Sequence, residues 1–386
     1  MRAKIHAMLL ADTEAINFRN LIGKITWGPR LNIIYGNNGQ GKTSWLEAIH
    51  ILARTKSFRT QRLQESIRFG EQTASIRGRV LAGVDLERDL QVTLQDNSKT
   101  ILVNSKRETL ARYLSQLQVF SFTAADLDVV RGMPEARRRF LDRGISSIRH
   151  SYLQTIADYT KVVKQKNRLL QMANEGEFSL EKTQDLIAPW NDQLVRLAVL
   201  IHAERTEYVA GLNQALERQL FDRRDLSTRY KSALEGKGDI SDYESLLRQR
   251  ISLRLQAEVA SGHSLIGPHR DDLEILLDGH EIRVFGSSGQ QRSALLLLDL
   301  AAISLYNLAS NDQPVFVIDD VDAELDERRI KRLLEYLENR TQTFITTSKR
   351  SHVEGFLSRA TVFEIDEGKV RTSSAESQDA IISTSV

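Results

Sequence analysis

Residues 36–43 constrain the fold of this chain more than any other segment. They read GNNGQGKT and fit the G-x-x-x-x-G-K-[ST] pattern of phosphate-binding loops. The short apolar run at residues 31–35 leads directly into the glycines, and residues 43–53 follow with helical spacing. A strand, a glycine-rich turn and a helix in this order predict an α/β domain built around a phosphate site.

The residue types in this loop indicate how it would hold ATP. Glycines allow tight turns that point backbone N–H groups at phosphates. Lys42 is expected to reach the β- and γ-phosphates, and Thr43 to supply its hydroxyl to Mg²⁺. A glycine-rich turn that binds nothing is the plainer interpretation, and the flanking strand and helix argue against it. The predicted loop contacts are Gly36, Asn37, Asn38, Gly39, Gln40, Gly41, Lys42 and Thr43.

Two adjacent acids follow a second apolar run, at residues 315–318. A buried strand ending in acids is the form of a Walker B motif, so Asp319 is predicted to hold Mg²⁺ together with Thr43. Asp320 is the candidate for polarising the attacking water. Most ABC ATPases carry the longer glutamate there, which suggests slow hydrolysis in this chain. Taken alone, the two acids could equally be a strand exit or a helix cap.

Residues 287–292, Ser-Ser-Gly-Gln-Gln-Arg, precede a strongly apolar helix and would present polar groups at its positive end. They resemble the ABC signature in altered form, with Ser287, Gly289 and Gln290 as the predicted nucleotide contacts. In that superfamily the signature of one subunit closes over the ATP held by the other, so the resemblance implies an ATP-dependent homodimer. A capped polar loop is the alternative.

The order of these segments predicts an α/β fold in which an ABC-type P-loop ATPase head carries an antiparallel β layer and an inserted helical lobe. Alternating apolar positions between residues 74 and 103 indicate the β layer. Long stretches rich in Leu, Arg, Gln and Glu indicate the helices. The predicted parts are an N-terminal head segment (1–125), the helical lobe (126–261), a C-terminal head segment (262–371) and a mobile tail (372–386).

Several further segments, taken in order, resemble the RecF family of SMC-like ATPases. They are residues 17–20 (NFRN), 46–49 (LEAI), 56–60 (KSFRT), 138–142 (RRFLD), 267–272 (GPHRDD) and 289–293 (GQQRS). Residues 323–326 resemble a D-loop. The chain departs from the family pattern at residues 121–126 and at Lys166, and residues 346–348 offer no switch histidine. No Q-loop or switch residue is therefore assigned.

The resemblance implies a weak, DNA-dependent ATPase that acts mainly as a switch in DNA replication, recombinational repair and the SOS response. The ATP-bound dimer would bind double-stranded DNA at junctions with single strands. It would assist a RecR-type mediator in loading RecA, and slow hydrolysis would release it. An SMC- or Rad50-like tether is one alternative, although the short insertion has no Cys-x-x-Cys hook. A small-molecule kinase with the same loop is another.

Any DNA site must come from local clusters, because 53 basic and 51 acidic residues almost cancel. For each cluster, a solvated helix face paired with acids is the competing interpretation. His269, next to two aspartates, could mark a metal site, although a Gly-Pro turn explains it more simply. The candidate cationic residues are Arg54, Lys56, Arg59 and Arg62, then Arg137, Arg138 and Arg139, then Lys161, Lys164, Lys166 and Arg168.

The expected location is the cytoplasm. The chain has no cysteine, which suits a reducing compartment. Residues 1–10 lack the order of a signal peptide, and no run of the roughly 18 apolar residues that a membrane span needs is expected. No membrane partner is therefore expected.

Overall fold

The computed structural model describes residues 8–83, 86–96, 98–216, 225–310 and 312–374. These residues form two compact units: residues 8–127 with 295–374, and residues 128–216 with 225–294. The sequence prediction placed the return to the ATPase head at residue 262. Residues 262–294 instead group with the helices, because the strand that starts at Asp272 pairs within the helical unit.

The described residues contain the following strands: β1 (Met8–Phe18), β2 (Leu21–Thr26), β3 (Leu31–Tyr35), β4 (Thr73–Ala82), β5 (Leu86–Gln95), β6 (Ser98–Val103), β7 (Lys106–Arg107), β8 (Val119–Phe122), β9 (Leu226–Lys231), β10 (Asp272–Leu277), β11 (His280–Glu281), β12 (Val315–Ile318), β13 (Gln342–Thr347), β14 (Ala360–Asp366) and β15 (Lys369–Ser374). The α-helices are α1 (Lys42–Arg54), α2 (Leu110–Leu114), α3 (Asp128–Arg131), α4 (Pro134–Ile148), α5 (His150–Asn174), α6 (Leu180–Leu216), α7 (Tyr243–Leu253), α8 (Leu255–Ser261), α9 (Ile282–Phe285), α10 (Ser288–Ser310), α11 (Val321–Glu324) and α12 (Glu327–Leu337).

A six-stranded sheet in the order β15-β14-β3-β13-β12-β8 forms the centre of the first unit. All of its strand pairs are parallel except β14 with β15. The buried runs of β3, β12 and β13 are almost entirely apolar or hydroxyl-bearing, as expected for a sheet covered on both faces. Because these strands are parallel, their carboxyl ends meet at one edge of the sheet.

The predicted antiparallel layer is confirmed as a second sheet in the order β2-β1-β4-β5-β6-β7. Leu90, Val92 and Leu94 of β5 are buried, which matches the alternation seen in the sequence. Their side chains belong to the same core as α1 and the central sheet. The ATPase head therefore has one continuous core.

An aromatic group in that core holds α1 against the central sheet. Trp27 makes edge-to-face contacts with Trp45, Phe344 and Phe363, at ring centroid distances of 6.2, 5.1 and 5.0 Å. Such pairs contribute about 1 kcal/mol each beyond the area that they bury. Because Trp45 lies in the first turn of α1, this packing also fixes the start of the helix that follows the phosphate loop.

The second unit consists mainly of α4–α8, with the three-stranded sheet β11-β10-β9. Helix α6 runs for 37 residues although Pro189 lies inside it. The strand β15 of the first unit extends to Ser374, so residues 372–374 of the predicted tail pair with β14. The rest of that tail, residues 375–386, lies outside the described residues.

Helix α10 has the length and apolar character of a membrane span, with a mean hydropathy of 1.5 over its best 18 residues. The sequence indicated an apolar helix here, but the expectation that no run reaches the length of a membrane span was wrong for this helix. Leu295, Leu296, Leu298 and Ile303 are buried inside the protein, however, and Asp299 is fully buried among them. We therefore interpret α10 as a core helix.

Candidate functional site

The loop between β3 and α1 has a backbone that requires glycine. Gly36, Gly39 and Gly41 have φ values of 149°, 82° and 110°, a region that other residues rarely adopt. A Cβ on Gly36 would lie 2.4 Å from the carbonyl oxygen of Ile365. Any side chain there would clash with backbone, so this loop keeps the shape of a phosphate cradle.

Two turns of neighbouring hairpins support the loop from outside. The Gln40 carbonyl accepts hydrogen bonds from the backbone N–H of Gly368 at 2.7 Å and from the Asn20 amide at 3.3 Å. The Gln40 side chain accepts a bond from the N–H of Glu367 at 2.7 Å. The indole of Trp45 donates to the Gly368 carbonyl at 3.3 Å. Both turns therefore hold the middle of the loop in place.

Lys42 points back into the loop. Its ammonium group donates to the carbonyl oxygens of Gly36 and Asn37, at 2.7 and 3.0 Å. Burial lowers the pKa of Lys42, and the carboxylate of Asp320 is the strongest of three that oppose this shift. Since the ammonium already lies inside the cradle, it can exchange these carbonyl partners for phosphate oxygens.

Two hydroxyl groups bind the same carboxylate oxygen of Asp319. The Thr43 hydroxyl donates to Asp319 Oδ1 at 2.9 Å, and the Thr346 hydroxyl donates to the same oxygen at 2.7 Å. Thr43 is the second residue of α1, the helix after β3, Asp319 follows β12, and Thr346 lies near the end of β13. The structure thus brings together the two residues predicted to hold Mg²⁺.

Asp320 lies beside this cluster with a backbone φ of 51°, and its N–H donates to the Thr346 hydroxyl at 2.7 Å. Burial raises the pKa of Asp320, and the neighbouring carboxylates of Asp322 and Asp319 raise it further. An unusual backbone conformation and a shifted pKa are frequent in catalytic residues.

Asp322 is a third acid at this edge that the sequence analysis did not single out. The hydroxyl and the N–H of Ser348 donate to its two carboxylate oxygens, at 2.7 and 3.2 Å. Burial raises the pKa of Asp322, but hydrogen bonds from Thr347 and Ser348 outweigh that effect, so the pKa is lowered. Asp322 therefore stays ionised at a lower pH than Asp320 does.

These residues fit a nucleoside triphosphate with Mg²⁺. Hydroxyl and carboxylate oxygens are the ligands that Mg²⁺ prefers, and it usually takes few of them from the protein. The described part of the chain contains no group of three or more His, Asp or Glu residues that could hold a metal ion. Thr43 and Asp319, beside a cradle that only glycines can form, agree with this donor set.

The predicted signature segment begins α10 with a reciprocal cap. The N–H of Ser287 donates to the Gln290 side-chain oxygen at 2.7 Å, and the N–H of Gln290 donates to the Ser287 hydroxyl at 3.3 Å. This is the arrangement of a capping box. Ser287, Ser288 and Gly289 are exposed, so a ligand can reach the start of α10. The segment belongs to the second unit.

The basic cluster in α4 is not a free cationic surface. Arg137 is 3% exposed and forms a two-pronged ion pair with Asp272, at 2.7 and 2.9 Å. Arg138 donates to the carbonyl of Asp271 at 2.8 Å. Arg139 pairs with Glu135 one turn earlier. The prediction that these three arginines could contact DNA is wrong for Arg137, because its guanidinium is enclosed and neutralised.

Two further cationic residues were also misassigned. Lys166 is fully buried and lies 2.7 Å from Glu258, so it does not share an exposed face with Lys161, Lys164 and Arg168. In the first unit, Arg54 turns inward and donates twice to the carbonyl of Val119, at 3.1 and 2.7 Å. Both side chains serve the fold, since a buried cation needs a partner of this kind.

His269 is a structural residue. Its Nδ1 lies 2.6 Å from the Tyr159 hydroxyl, and its Nε2 lies 3.2 Å from the carbonyl of Ser264. Burial lowers the pKa of His269 to about 4. Both ring nitrogens are engaged inside the helical unit, which favours the Gly-Pro turn interpretation over a metal site.

Several residues that position the predicted site residues were not identified from the sequence. Thr346 lies near the end of β13 and Ser348 directly follows that strand. A hydroxyl at the end of a parallel strand is the signal that could have indicated them. Asn20 and Gly368 carry no such signal, because they reach the loop through hairpin turns that are distant in sequence.

Comparisons with known proteins agree with this geometry. The chain matches the RecF/RecN/SMC N terminal domain family over residues 9–371. It is 34% identical to the DNA replication and repair protein RecF of Lactobacillus johnsonii, over 95% of this chain and 99% of the relative. It is 36% identical to the protein of the same name from Lactobacillus gasseri, over 88% and 92% of the two chains.

Solved structures show the same fold. A structure described as the recombination mediator protein RecF-ATP in the RecFOR pathway superposes with a TM-score of 0.87 at 29% identity, covering 97% of this chain and 100% of the other. A structure described as RecF-ATPrS in the same pathway gives a TM-score of 0.85 at 30% identity, covering 96% and 99%. The Smc head domain of Pyrococcus furiosus shares the fold alone, with a TM-score of 0.54 at 14% identity over 95% and 96% of the two chains. The family match and the relatives span nearly the whole chain, and the chain therefore belongs to the RecF family, within the SMC-like ATPases.

Proposed function

We propose that this chain is an ATP-dependent DNA-binding protein of DNA replication and recombinational repair. ATP binding would close a homodimer on double-stranded DNA, and slow hydrolysis would open it. The observation that carries this proposal is the convergence of Thr43, Asp319 and Thr346 beside a glycine cradle. The curated relatives are DNA replication and repair proteins, and a solved relative is described with ATP.

Different residues of the first unit would bind ATP and act in its hydrolysis. Lys42 would exchange the carbonyls of Gly36 and Asn37 for phosphate oxygens, and Thr43 and Asp319 would hold Mg²⁺. The bound Mg²⁺ would neutralise charge that develops on the phosphates. Asp320 would orient the attacking water and accept its proton. The pKa of Asp320 is raised, so Asp320 should take up a proton at a higher pH than an ordinary aspartate does. As the solution is acidified, turnover should therefore begin to fall at that higher pH.

A split site would make ATP a dimerisation switch. The signature residues Ser287, Gly289 and Gln290 would complete the site of a second copy. ATP that binds only the closed dimer then shifts association by its differential affinity for the two states. Turnover would then time release from DNA, and the chain would act as a weak, DNA-dependent ATPase.

The proposed partners follow from the relatives. Two solved relatives are described as recombination mediators of the RecFOR pathway. A RecR-type mediator is therefore the expected protein partner, acting before RecA is loaded at junctions of double- and single-stranded DNA. This activity would take place in the cytoplasm, where the chromosome is replicated.

Sedimentation velocity tests the proposal directly. The wild-type protein and the variants Lys42→Arg and Asp320→Asn are compared with and without ATP and Mg²⁺, and then with duplex DNA. We expect ATP to convert wild-type monomer to dimer, Lys42→Arg to abolish the change, and Asp320→Asn to prolong the dimer. Unchanged mass and unchanged DNA binding on adding ATP would reject the split-site dimer.

A further inference from the structure

The segment after α1, together with β6, carries four cations, of which Arg59 alone has an acidic partner among the described residues. We name Lys56, Arg59, Arg62 and Lys99 the α1 basic patch. Lys56, Arg59 and Arg62 are exposed. Within the described ranges, no carboxylate forms an ion pair with Lys56, Arg62 or Lys99. The other predicted clusters differ, because Arg137 pairs with Asp272 and Lys166 pairs with the buried Glu258. Arg54, at the end of α1, donates to the carbonyl of Val119 and is not part of the patch.

Two cations of the patch, Lys56 and Lys99, lie close to each other. Lys99 reaches from β6 to the end of α1, where its ammonium donates to the carbonyl and the hydroxyl of Thr55 at 2.9 and 3.1 Å. Burial lowers the pKa of Lys99, and the positive charge of Lys56 lowers it further. Two cations close together at a helix end create a local positive potential, which an anion would relieve.

A buried carboxylate of α1 anchors the patch. Glu47 is fully buried and accepts two hydrogen bonds from Arg19, at 3.0 and 2.8 Å. It also accepts one from the Ser57 hydroxyl at 2.6 Å. The contact from Arg59 is longer, at 3.4 Å, and the Arg59 side chain is 44% exposed. Because Arg19 already neutralises Glu47, most of the Arg59 guanidinium is available to a second anion.

The same anchor connects the patch to the phosphate loop. Arg19 is adjacent to Asn20, whose amide donates to the carbonyl of Gln40 in that loop. Glu47 lies one turn and a half into the helix that begins with Lys42. A change in the loop on nucleotide binding therefore has a short hydrogen-bonded route to Arg59, through two adjacent residues and one carboxylate.

From this arrangement we infer that the α1 basic patch contacts the phosphate backbone of duplex DNA, with Glu47 linking that contact to the nucleotide site. The inference rests on the proposed function and adds where the DNA is held. Contacts made only to phosphates give little base preference and strong dependence on salt. The side chains of Lys56 and Arg62 can be removed without loss of any hydrogen bond that the described structure shows for them.

Fluorescence anisotropy with a labelled blunt duplex tests the inference, in the presence of ATP and Mg²⁺ and over a series of salt concentrations. The patch variant is Lys56→Ala with Arg62→Ala. We expect its duplex affinity to fall about tenfold and the slope of log affinity against log salt to become shallower by about two. Its affinity for ATP should equal that of the wild type.

The matched control removes two charges elsewhere, with Lys182→Ala and Arg196→Ala, both exposed on α6. We expect this variant to keep the wild-type affinity and slope. The exchange Lys56→Arg with Arg62→Lys keeps the charges and should also bind as the wild type does.

The outcomes separate the two proposals. If the patch variant binds duplex with the wild-type affinity and slope while the wild type responds to ATP, the patch is not the contact, and the proposed function stands. If the control loses as much affinity as the patch variant, the effect is one of net charge and the inference fails. If the wild type itself binds no duplex with ATP, both the inference and the proposed function are rejected.

Discussion

The hydroxyl of Thr43 lies 2.9 Å from a carboxylate oxygen of Asp319, although 276 positions separate the two residues in the chain. Both residues extend from neighbouring parts of one parallel sheet, and the Thr346 hydroxyl binds the same oxygen. The fold therefore brings together the two residues proposed to hold Mg²⁺, and Thr346 orients the carboxylate of one of them.

Removal of the Thr43 hydroxyl should weaken ATP binding only when Mg²⁺ is present. Thr43→Ala deletes one of two expected metal ligands, and we expect a loss of about tenfold or more in ATP affinity with Mg²⁺. With EDTA the variant and the wild type should bind ATP alike. Isothermal titration calorimetry measures both conditions.

Thr43→Ser is the control, because it retains the hydroxyl and should bind as the wild type does. An equal loss with and without Mg²⁺ in Thr43→Ala would show that the residue supports the loop rather than the metal.

A side chain at Gly368 should disturb the phosphate loop from outside. The φ of Gly368 is 80°, and a Cβ there would lie 2.2 Å from the carbonyl oxygen of Asn20. Gly368→Ala must therefore push apart the two turns that hold Gln40. We expect ATP affinity to fall about tenfold, which corresponds to about 1.4 kcal/mol, as measured by calorimetry.

Gly70→Ala is a matched control for that change. Gly70 has a φ of 87° and no atom within 4 Å of the added Cβ. Its substitution should cost about 1–2 kcal/mol of stability for the backbone conformation without changing ATP affinity. Similar ATP affinities in the two variants would argue against support of the loop by Gly368.

Arg137 should be needed for stability and not for DNA binding. Arg137→Ala leaves Asp272 without its buried partner, and we expect a loss of about 3 kcal/mol in the free energy of unfolding. Urea denaturation followed by circular dichroism measures this change. Two positions along the same helix, Arg139 is 66% exposed, and Arg139→Ala should cost less than about 0.5 kcal/mol. A reversed order of these two effects would contradict the buried position of Arg137.

His269 should make the helical unit less stable in acid. Burial lowers its pKa from 6.5 to about 4, so the folded protein keeps the ring neutral while the unfolded chain takes up a proton below pH 6.5. The contribution of His269 to the free energy of unfolding is therefore complete above pH 6.5. It is lost as the pH falls from 6.5 to about 4, and the loss is about 3 kcal/mol at most.

The His269→Gln variant isolates this contribution, because glutamine does not titrate. Its free energy of unfolding should fall less than that of the wild type between pH 6.5 and 4, in urea denaturation at each pH. Parallel pH curves for the two proteins would mean that His269 is protonated in the folded state.

The local motifs of the first unit were predictable from the sequence. The loop at residues 36–43 requires glycines and a lysine at fixed spacing, and the requirement lies within eight consecutive residues. The apolar runs before the loop and before Asp319 indicated strands for the same reason, because burial on both faces selects such residues along one short segment. The antiparallel layer followed from its alternating side chains.

The tertiary structure decided which charged and hydroxyl groups serve that site. Consecutive residues of a helix point in directions about 100° apart, so Arg137 is enclosed while Arg139 is exposed, although the sequence shows the same residue at both positions. Thr346 and Gly368 reach the site through pairing between distant strands, and Glu47 acquires its cations from two other segments. Periodicity and local motifs do not report such contacts, because these depend on which segments the fold brings together.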